Sequence, residues 1–337
     1  MSSKSIRVAV VGALIGAACI TASTVGQSVA GADPSPPAET FSWYVPYTNS
    51  SAQEAWYNLG EEFGEDVATG VFPQAAYVIL DFGVPDYDAG YGTDLTTGCD
   101  CFSPQLDDLA IAEQFGAGYY KGTQVDYSDD TSWLTIGLGT NNTSTSWFDN
   151  ATHVKDSGLN WGSIVNNGDT YFGLGGYNDV SMVGAIDSET DSGYAAYSYT
   201  SDWYTGFYTN STFDYADYGD AGGCPTSGGQ GNCNETWTTH QVYNMAWGNP
   251  IALPVPQIYN SAMGDQWANL ASVWTGMSFV GPMSQYLACL DHHNTCGGTD
   301  FTADESWDGL YNSLNCSGCP DPQSPPYVTN IRYDLNV

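Results

Sequence analysis

The chain has 337 residues, 42% hydrophobic and 14% aromatic, which is ample for a packed core and incompatible with a disordered chain. Its 38 Asp and Glu face only five Lys and Arg, a formal net charge of −33 that repels nucleic acid and anionic lipid. Nucleic-acid binding is close to excluded on that ground. No stretch after the N-terminal segment is long and apolar enough to span a membrane.

Residues 1–32 read as a secretion signal. Lys4 and Arg7 supply its positive region, residues 8–20 its apolar region, and Ala30-Gly31-Ala32 a small-residue cleavage site. A flexible leader with Pro34, Pro36 and Pro37 covers residues 33–40, and one domain is expected over 41–337. The expected location is outside the cell or at its surface. Removing the signal removes Lys4, Arg7 and Cys19, leaving Lys121, Lys155 and Arg332 as cations and eight cysteines. An even cysteine count in an exported chain reads as disulfides, with Cys224–Cys233, Cys289–Cys296 and Cys316–Cys319 able to close local loops. A zinc site from Cys99, Cys101, Cys316 and Cys319 is the alternative, disfavoured by export.

In chain order, residues 41–47 read as a strand and 52–63 as a helix with apolar residues at helical spacing. A second strand over 75–82 leads to Asp81. A polar excursion over 85–102 carries Asp86, Asp88 and Asp94, an oxygen-rich loop that would suit Ca²⁺, although it lacks EF-hand spacing. Ser103-Pro104 opens the next helix. A third strand over 133–139 ends at Asn141 and Asn142, and a weaker amphipathic helix covers 159–165. The fourth strand is 181–189, an apolar run that stops in Asp187 and Glu189. A helix over 194–207 and a fifth strand over 213–218, ending near Asp217, follow. A sixth strand lies in 253–259 despite Pro254 and Pro256, then a helix over 265–277 and a seventh strand over 278–286. A capped helix over 302–314, with Thr302 and Glu305 at capping-box spacing, precedes a last strand over 327–335.

About eight strands alternating with helices is the arithmetic of an α/β fold, a (β/α)8 TIM-like barrel, with an all-β sandwich as the alternative. Strand ends of such a barrel gather at one mouth. They would bring together Tyr44, Tyr47, Asp81, Asn141, Asn142, Asp187, Glu189, Asp217, Asp220, Gln257, Tyr259, Asn260, Gln285 and Asp334, a lining of acids, amides and aromatics. Such a lining suits sugar. Asp187 and Glu189 stand two apart and so share a side of their strand. One carboxyl donating a proton beside a second is the chemistry of glycoside hydrolysis. A bland reading stands beside it, in which acids at a strand end simply solvate.

Asp187-Ser188-Glu189 at the end of a fourth strand resembles the D-x-E of barrel glycosidases that act on amino-sugar polymers, the chitinase and lysozyme-type barrels. Gln257-Ile258-Tyr259-Asn260 is similar to the Gln/Met-x-Tyr-Asn/Asp of chitinase-like barrels. The chain also resembles exported actinobacterial proteins carrying a glycoside-hydrolase-like barrel. The fuller D-G-x-D-x-D-x-E of chitinases is absent, since Met182, Gly184 and Ala185 stand in that stretch. The resemblance implies Glu189 as proton donor, Asp187 as its electrostatic partner and Tyr259 as a charge-stabilising group. Substrate contacts would come from Asp81, Asn141, Asp217, Gln257, Asn260, Gln285 and Tyr44, with a polysaccharide or cell-wall glycan as partner. No cofactor motif is present: no glycine-rich loop is followed by Gly-Lys, and no G-x-S-x-G occurs. His292-His293 reads as two solvated histidines, and no metal is expected. A non-catalytic glycan-binding protein and a structural surface protein remain open as alternatives to an enzyme.

Overall fold

The computed structural model describes residues 34–95, 101–145, 147–249, 251–291, 298 and 301–333. The chain divides into two compact units, Met1–Ser35 and Pro36–Val337, and every helix and strand named below belongs to the second. The expected secretion signal, His292, His293 and Asp334 lie outside the described residues.

Strand β1 (Thr40–Tyr44) leads through α1 (Ser50–Ala68) to β2 (Ala75–Asp81). Three short strands follow, β3 (Val84–Tyr87), β4 (Tyr91–Asp94) and β5 (Phe102–Pro104), and then α2 (Gln105–Tyr120), which runs on into a π-helical turn over Lys121–Asp126. Next come β6 (Trp133–Asn141), α3 (Ala151–Gly175), β7 (Val180–Asp187), α4 (Tyr197–Asn210) and β8 (Tyr215–Asp217). The chain continues with α5 (Thr239–Ala246), β9 (Ala252–Pro254), α6 (Ser261–Val273), β10 (Met283–Ser284), α7 (Tyr286–Asp291), α8 (Ala303–Leu314) and β11 (Thr329–Arg332). Eight of these strands form one parallel, curled sheet in the order β10-β11-β1-β2-β6-β7-β8-β9. The all-β alternative is thereby overturned. At the two ends of the order, Gln257 forms a parallel bridge with Met283, flanked by Val280 N–H to Pro254 O at 2.9 Å and Met283 N–H to Pro256 O at 2.8 Å.

Strand alternation divides the core in two. The outer face carries Trp43, Val78, Leu80, Ile136, Leu138, Met182 and Ile186, all buried against the helices. Trp43 meets Trp56 edge-on at 6.0 Å and Phe115 at 5.5 Å, and Trp161 donates from its indole to the Leu138 carbonyl at 2.9 Å. The concave face carries a separate cluster that includes Tyr77, Ile79, Ala185, Ala216, Tyr218, Val255 and Met283. Apolar residues on both faces explain why the strands read as continuous hydrophobic runs.

Glycines set the spacing of the helix layer. A Cβ on Gly118 of α2 would stand 2.0 Å from the Tyr57 carbonyl oxygen of α1, and one on Gly60 would stand 2.1 Å from that of Phe115. The α3–α4 pair repeats the device, with Gly158 against the Trp203 carbonyl and Gly206 against that of Lys155, each 2.0 Å from an added Cβ. This is why α3 reads weakly in sequence. It runs 25 residues rather than the seven over 159–165, because glycines occupy contact positions where apolar side chains are sought.

Other expectations are corrected. The polar excursion expected as a loop for Ca²⁺ is a three-stranded antiparallel sheet, in which Asp86 pairs with Gly92 and Asp94 with both Val84 and Phe102. Buried Asp108 of α2 anchors it, accepting from Ser103 Oγ at 2.5 Å and Thr93 Oγ1 at 3.2 Å. The seventh strand shrinks to two residues because Pro282 brings no N–H and Tyr286 already belongs to α7. The capping box on α8 is present, with Glu305 N–H donating to Thr302 Oγ1 at 3.3 Å and Thr302 N–H to Glu305 Oε2 at 2.9 Å.

Disulfides join Cys224 to Cys233 and Cys316 to Cys319. The second removes the zinc alternative, since those thiolates are spent on each other. Among the described residues, no helix is long and apolar enough to cross a membrane.

Gly118→Ala separates two opposed effects. Helix propensity alone favours alanine by about 1 kcal/mol. The 2.0 Å approach to a backbone carbonyl forces α1 and α2 apart. The expected net outcome is a loss of about 1–3 kcal/mol, read as a lower urea midpoint.

Candidate functional site

The site lies at the C-terminal end of the parallel sheet. Asp187 closes β7 on its concave side, in line with Val183 and Ala185, and Asn141 of β6 is its register partner. Asp187 is 5% exposed, so its carboxylate cannot solvate. Two residues on, Glu189 is half-buried and reaches the surface. The side-chain nitrogen of Gln257, just beyond β9, donates to Asp187 Oδ1 at 2.8 Å and to Glu189 Oε1 at 3.1 Å. Those two oxygens therefore lie at most about 6 Å apart, close enough for the charge of one carboxyl to act on the other.

The backbone around Glu189 is held from both sides. The Asn142 side chain accepts from Glu189 N–H at 3.0 Å and donates to the Glu189 carbonyl at 3.0 Å, extending the β6–β7 pairing past the last strand residue. Its amide also donates to Thr200 of α4 at 3.2 Å. Asp220 accepts from Thr190 N–H at 3.1 Å and from its hydroxyl at 3.2 Å. The Tyr194 phenol lies near the Glu189 carboxyl. An open cleft of about 570 Å³ lies against Glu189, lined also by Asp191, Ser192, Tyr194, Asn234 and Glu235. Asn234 donates to Asp191, and the Cys224–Cys233 disulfide closes the loop just before it.

Burial sets the electrostatics. Asp187 is pushed well above the usual carboxylate range by desolvation, and further by the charges of Glu189, Asp81, Asp220 and Asp217. Glu189 is raised by burial and by Asp220, against the hydrogen bond from Gln257 and the nearby Tyr194 phenol. Two carboxyls in one dry site cannot both ionise cheaply, so the pair retains a proton toward neutral pH. Tyr259 is buried beside them, its hydroxyl kept protonated by desolvation and by the charges of Asp187 and Glu189.

The remaining expected residues divide. Asp81, fully buried at the end of β2, accepts from Gly83 N–H at 2.7 Å, with the Tyr218 phenol beside it. Tyr218 crosses the concave face to donate to the Thr140 carbonyl at 2.9 Å, which Gly139 permits by having no Cβ. Asp81 thus forms the floor of the site rather than its surface. Tyr44 stacks on Tyr333 at 4.5 Å. Asn141 turns its oxygen to Thr143 N–H at 3.1 Å. Asp217 shares its strand face with Tyr215, toward the helices, and acts on Asp187 only through its charge. Asn260 caps α6 by accepting from Met263 N–H at 3.2 Å. Gln285, half-buried, follows β10.

Sequence reading missed Tyr194, Asp191 and Glu235. Tyr194 reads as the start of a helix, Asp191 and Glu235 fall outside any periodic pattern, and only the short Cys224–Cys233 spacing hints that the loop before Glu235 is held in place. Among the described residues, the cluster able to hold a metal is Glu61, Glu65 and Asp126, where Lys121 already bonds Glu61 at 3.3 Å and also Asp126. Comparison with protein-family models, curated proteins and solved structures returns no match.

The buried acids make stability depend on pH in an unusual direction. Asp81 is raised from 3.8 to about 6 and Asp217 from 3.8 to about 7, both chiefly by desolvation. The folded state therefore binds more protons than the unfolded one across this window. Stability contributed by each group is full below its unfolded value and is lost as pH rises through its folded value. Thermal unfolding should give a Tm several degrees higher at pH 5 than at pH 8. Asp217→Asn should flatten that difference, because each tenfold gain in proton affinity on folding is worth about 1.4 kcal/mol and the amide has none to gain.

Proposed function

We propose that this chain is an exported glycoside-hydrolase-like protein built on a (β/α)8 barrel, acting on a polysaccharide at the cleft beside Glu189. The barrel reading is supported by the Gln257–Met283 bridge and its flanking bonds, which link the two ends of the sheet order. Export is supported by the disulfides and by the N-terminal charge and apolar pattern.

One observation carries the functional reading: a single amide donates to both carboxyls of the Asp187–Glu189 pair, and only Glu189 reaches the cleft. Glu189 is the proton donor. Its raised proton affinity keeps it protonated near neutrality. In the reaction it protonates the glycosidic oxygen as the bond to the anomeric carbon breaks; water then bonds to that carbon and gives its proton back to Glu189, which restores the acid. Asp187 stays behind Gln257, where the charge left on Glu189 raises its proton affinity. Positive charge growing on the sugar is met by Asp191 and Glu235 across the cleft. The chain's shortage of cations suits neutral or amino sugars and opposes phosphorylated ones.

The alternative is a non-catalytic glycan-binding protein on the same scaffold. It is favoured by the burial of Asp81 and Asp187 beneath tyrosines, which leaves one accessible carboxyl of the pair.

Purified protein incubated with chitin, peptidoglycan and other polysaccharides separates the two. Parent protein should release reducing sugar from one of them, and Glu189→Gln should lose at least about 10²-fold of that rate with an unchanged Tm. Equal glycan binding by both proteins without product would establish the binding module instead.

A further inference from the structure

Four rings from three chain segments meet at the rim of the same sheet end. Tyr87 closes β3, Tyr91 opens β4, Trp147 lies in the connection from β6 to α3, and His153 stands in the first turn of α3. Tyr87 and Tyr91 meet edge-to-face at 5.2 Å, Tyr91 and Trp147 at 6.3 Å, and Trp147 stacks on His153 at 5.3 Å with 21° between planes. None of the three Tyr and Trp rings belongs to a hydrophobic cluster of the fold. Tyr87 is 50% exposed, His153 is exposed, and the two central rings are half-buried.

This strip is continuous with the cleft. The connection that carries Trp147 also carries Thr143, which bridges to Tyr194 of the cleft wall, and Ser144 N–H donates to the Gly193 carbonyl at 2.8 Å. The two central rings are braced. Tyr91 lies between Tyr87 and Trp147, with the Asp156 carboxylate near its phenol, and Trp147 has its face against His153. The hairpin beneath is anchored to α2 through Asp108. Rigid rings facing solvent, each with few rotatable bonds, lose little entropy when they bind. A pyranose offers them a matching surface, an apolar C–H face edged with hydroxyls.

We propose that Tyr87, Tyr91 and Trp147 form an accessory sugar platform, holding the part of a neutral oligosaccharide that extends beyond the cleft. This rests on the reading of the Glu189 cleft as a glycan site. It makes the ligand a chain of several sugars rather than a single unit, since rim and cleft lie on different loops.

The test uses the β-1,4-linked hexamer and dimer of N-acetylglucosamine, and cellohexaose, titrated calorimetrically into the full chain and into its Glu189→Gln form. Tyr87→Ala and Trp147→Ala should each weaken hexamer binding about tenfold while leaving dimer affinity unchanged, and Trp147→Phe should restore most of the loss. Tyr87 is exposed enough for its variant to fold even if Trp147→Ala does not. Unchanged hexamer affinity in the variants, equal weakening for dimer and hexamer, or no hexamer binding by the full chain overturns the platform. A platform effect without hydrolysis by the parent would sink the catalytic reading and leave the platform standing. Hydrolysis that ignores the rim variants would do the reverse.

Discussion

Two hydrogen bonds from the Gln257 amide, 2.8 Å to Asp187 and 3.1 Å to Glu189, tie the segment after β9 to the end of β7. An ionised carboxylate has acceptors only, so a buried pair of them needs donors from elsewhere in the chain. With three cations outside the N-terminal segment, the chain has almost no ammonium or guanidinium to offer. Lys121 is engaged with Glu61 and Asp126, and Arg332 lies 4.0 Å from Asp291. Neutral donors therefore carry the site: one glutamine and the backbone N–H groups that meet Asp81 and Asp220. Neutral donors only partly stabilise the charged form, and the acids consequently hold their protons.

That constraint links fold to chemistry. The concave face is floored by tyrosines because a phenol is both bulky enough to fill the interior and able to donate. Tyr218 spans it from β8 to β6 through the space left by Gly139. Asn142 then continues the β6–β7 pairing with a side chain where the backbone ladder ends, which presents Glu189 outward while Asp187 stays inside. The alternating directions of a strand would have placed both acids on one side. The clamp and the bend after Asp187 give them unequal exposure, and unequal exposure is what lets two like groups take different roles.

Much of the element order was readable, because residues 75–82 and 181–187 are apolar on both faces and helices such as α1 and α8 carry caps. The D-x-E pair and Gln257 were also readable as candidates, although nothing local connected them. Where Asn260 and Asp217 would sit was not readable, since an amide after a strand serves equally as a helix cap and an acid at a strand end can face either layer. The three-stranded insertion was misread because Asp86, Asp88 and Gly90 carry turn and loop chemistry while the strands between them are only three or four residues long. The length of α3 was hidden by its glycines.

The sequence by itself determined an acidic, cysteine-bearing α/β chain and the positions where strands stop in carboxylates. Those properties depend on residue type and on periodicity within one segment. Only the tertiary structure decided that Gln257 meets Asp187 and Glu189 across a separation of about seventy residues, that Asp81 lies beneath them, and that Tyr87, Tyr91 and Trp147 share a rim. Such contacts arise from sheet curvature and from helix spacing set by glycine-to-carbonyl approaches. Neither leaves a mark on the residues that it brings together.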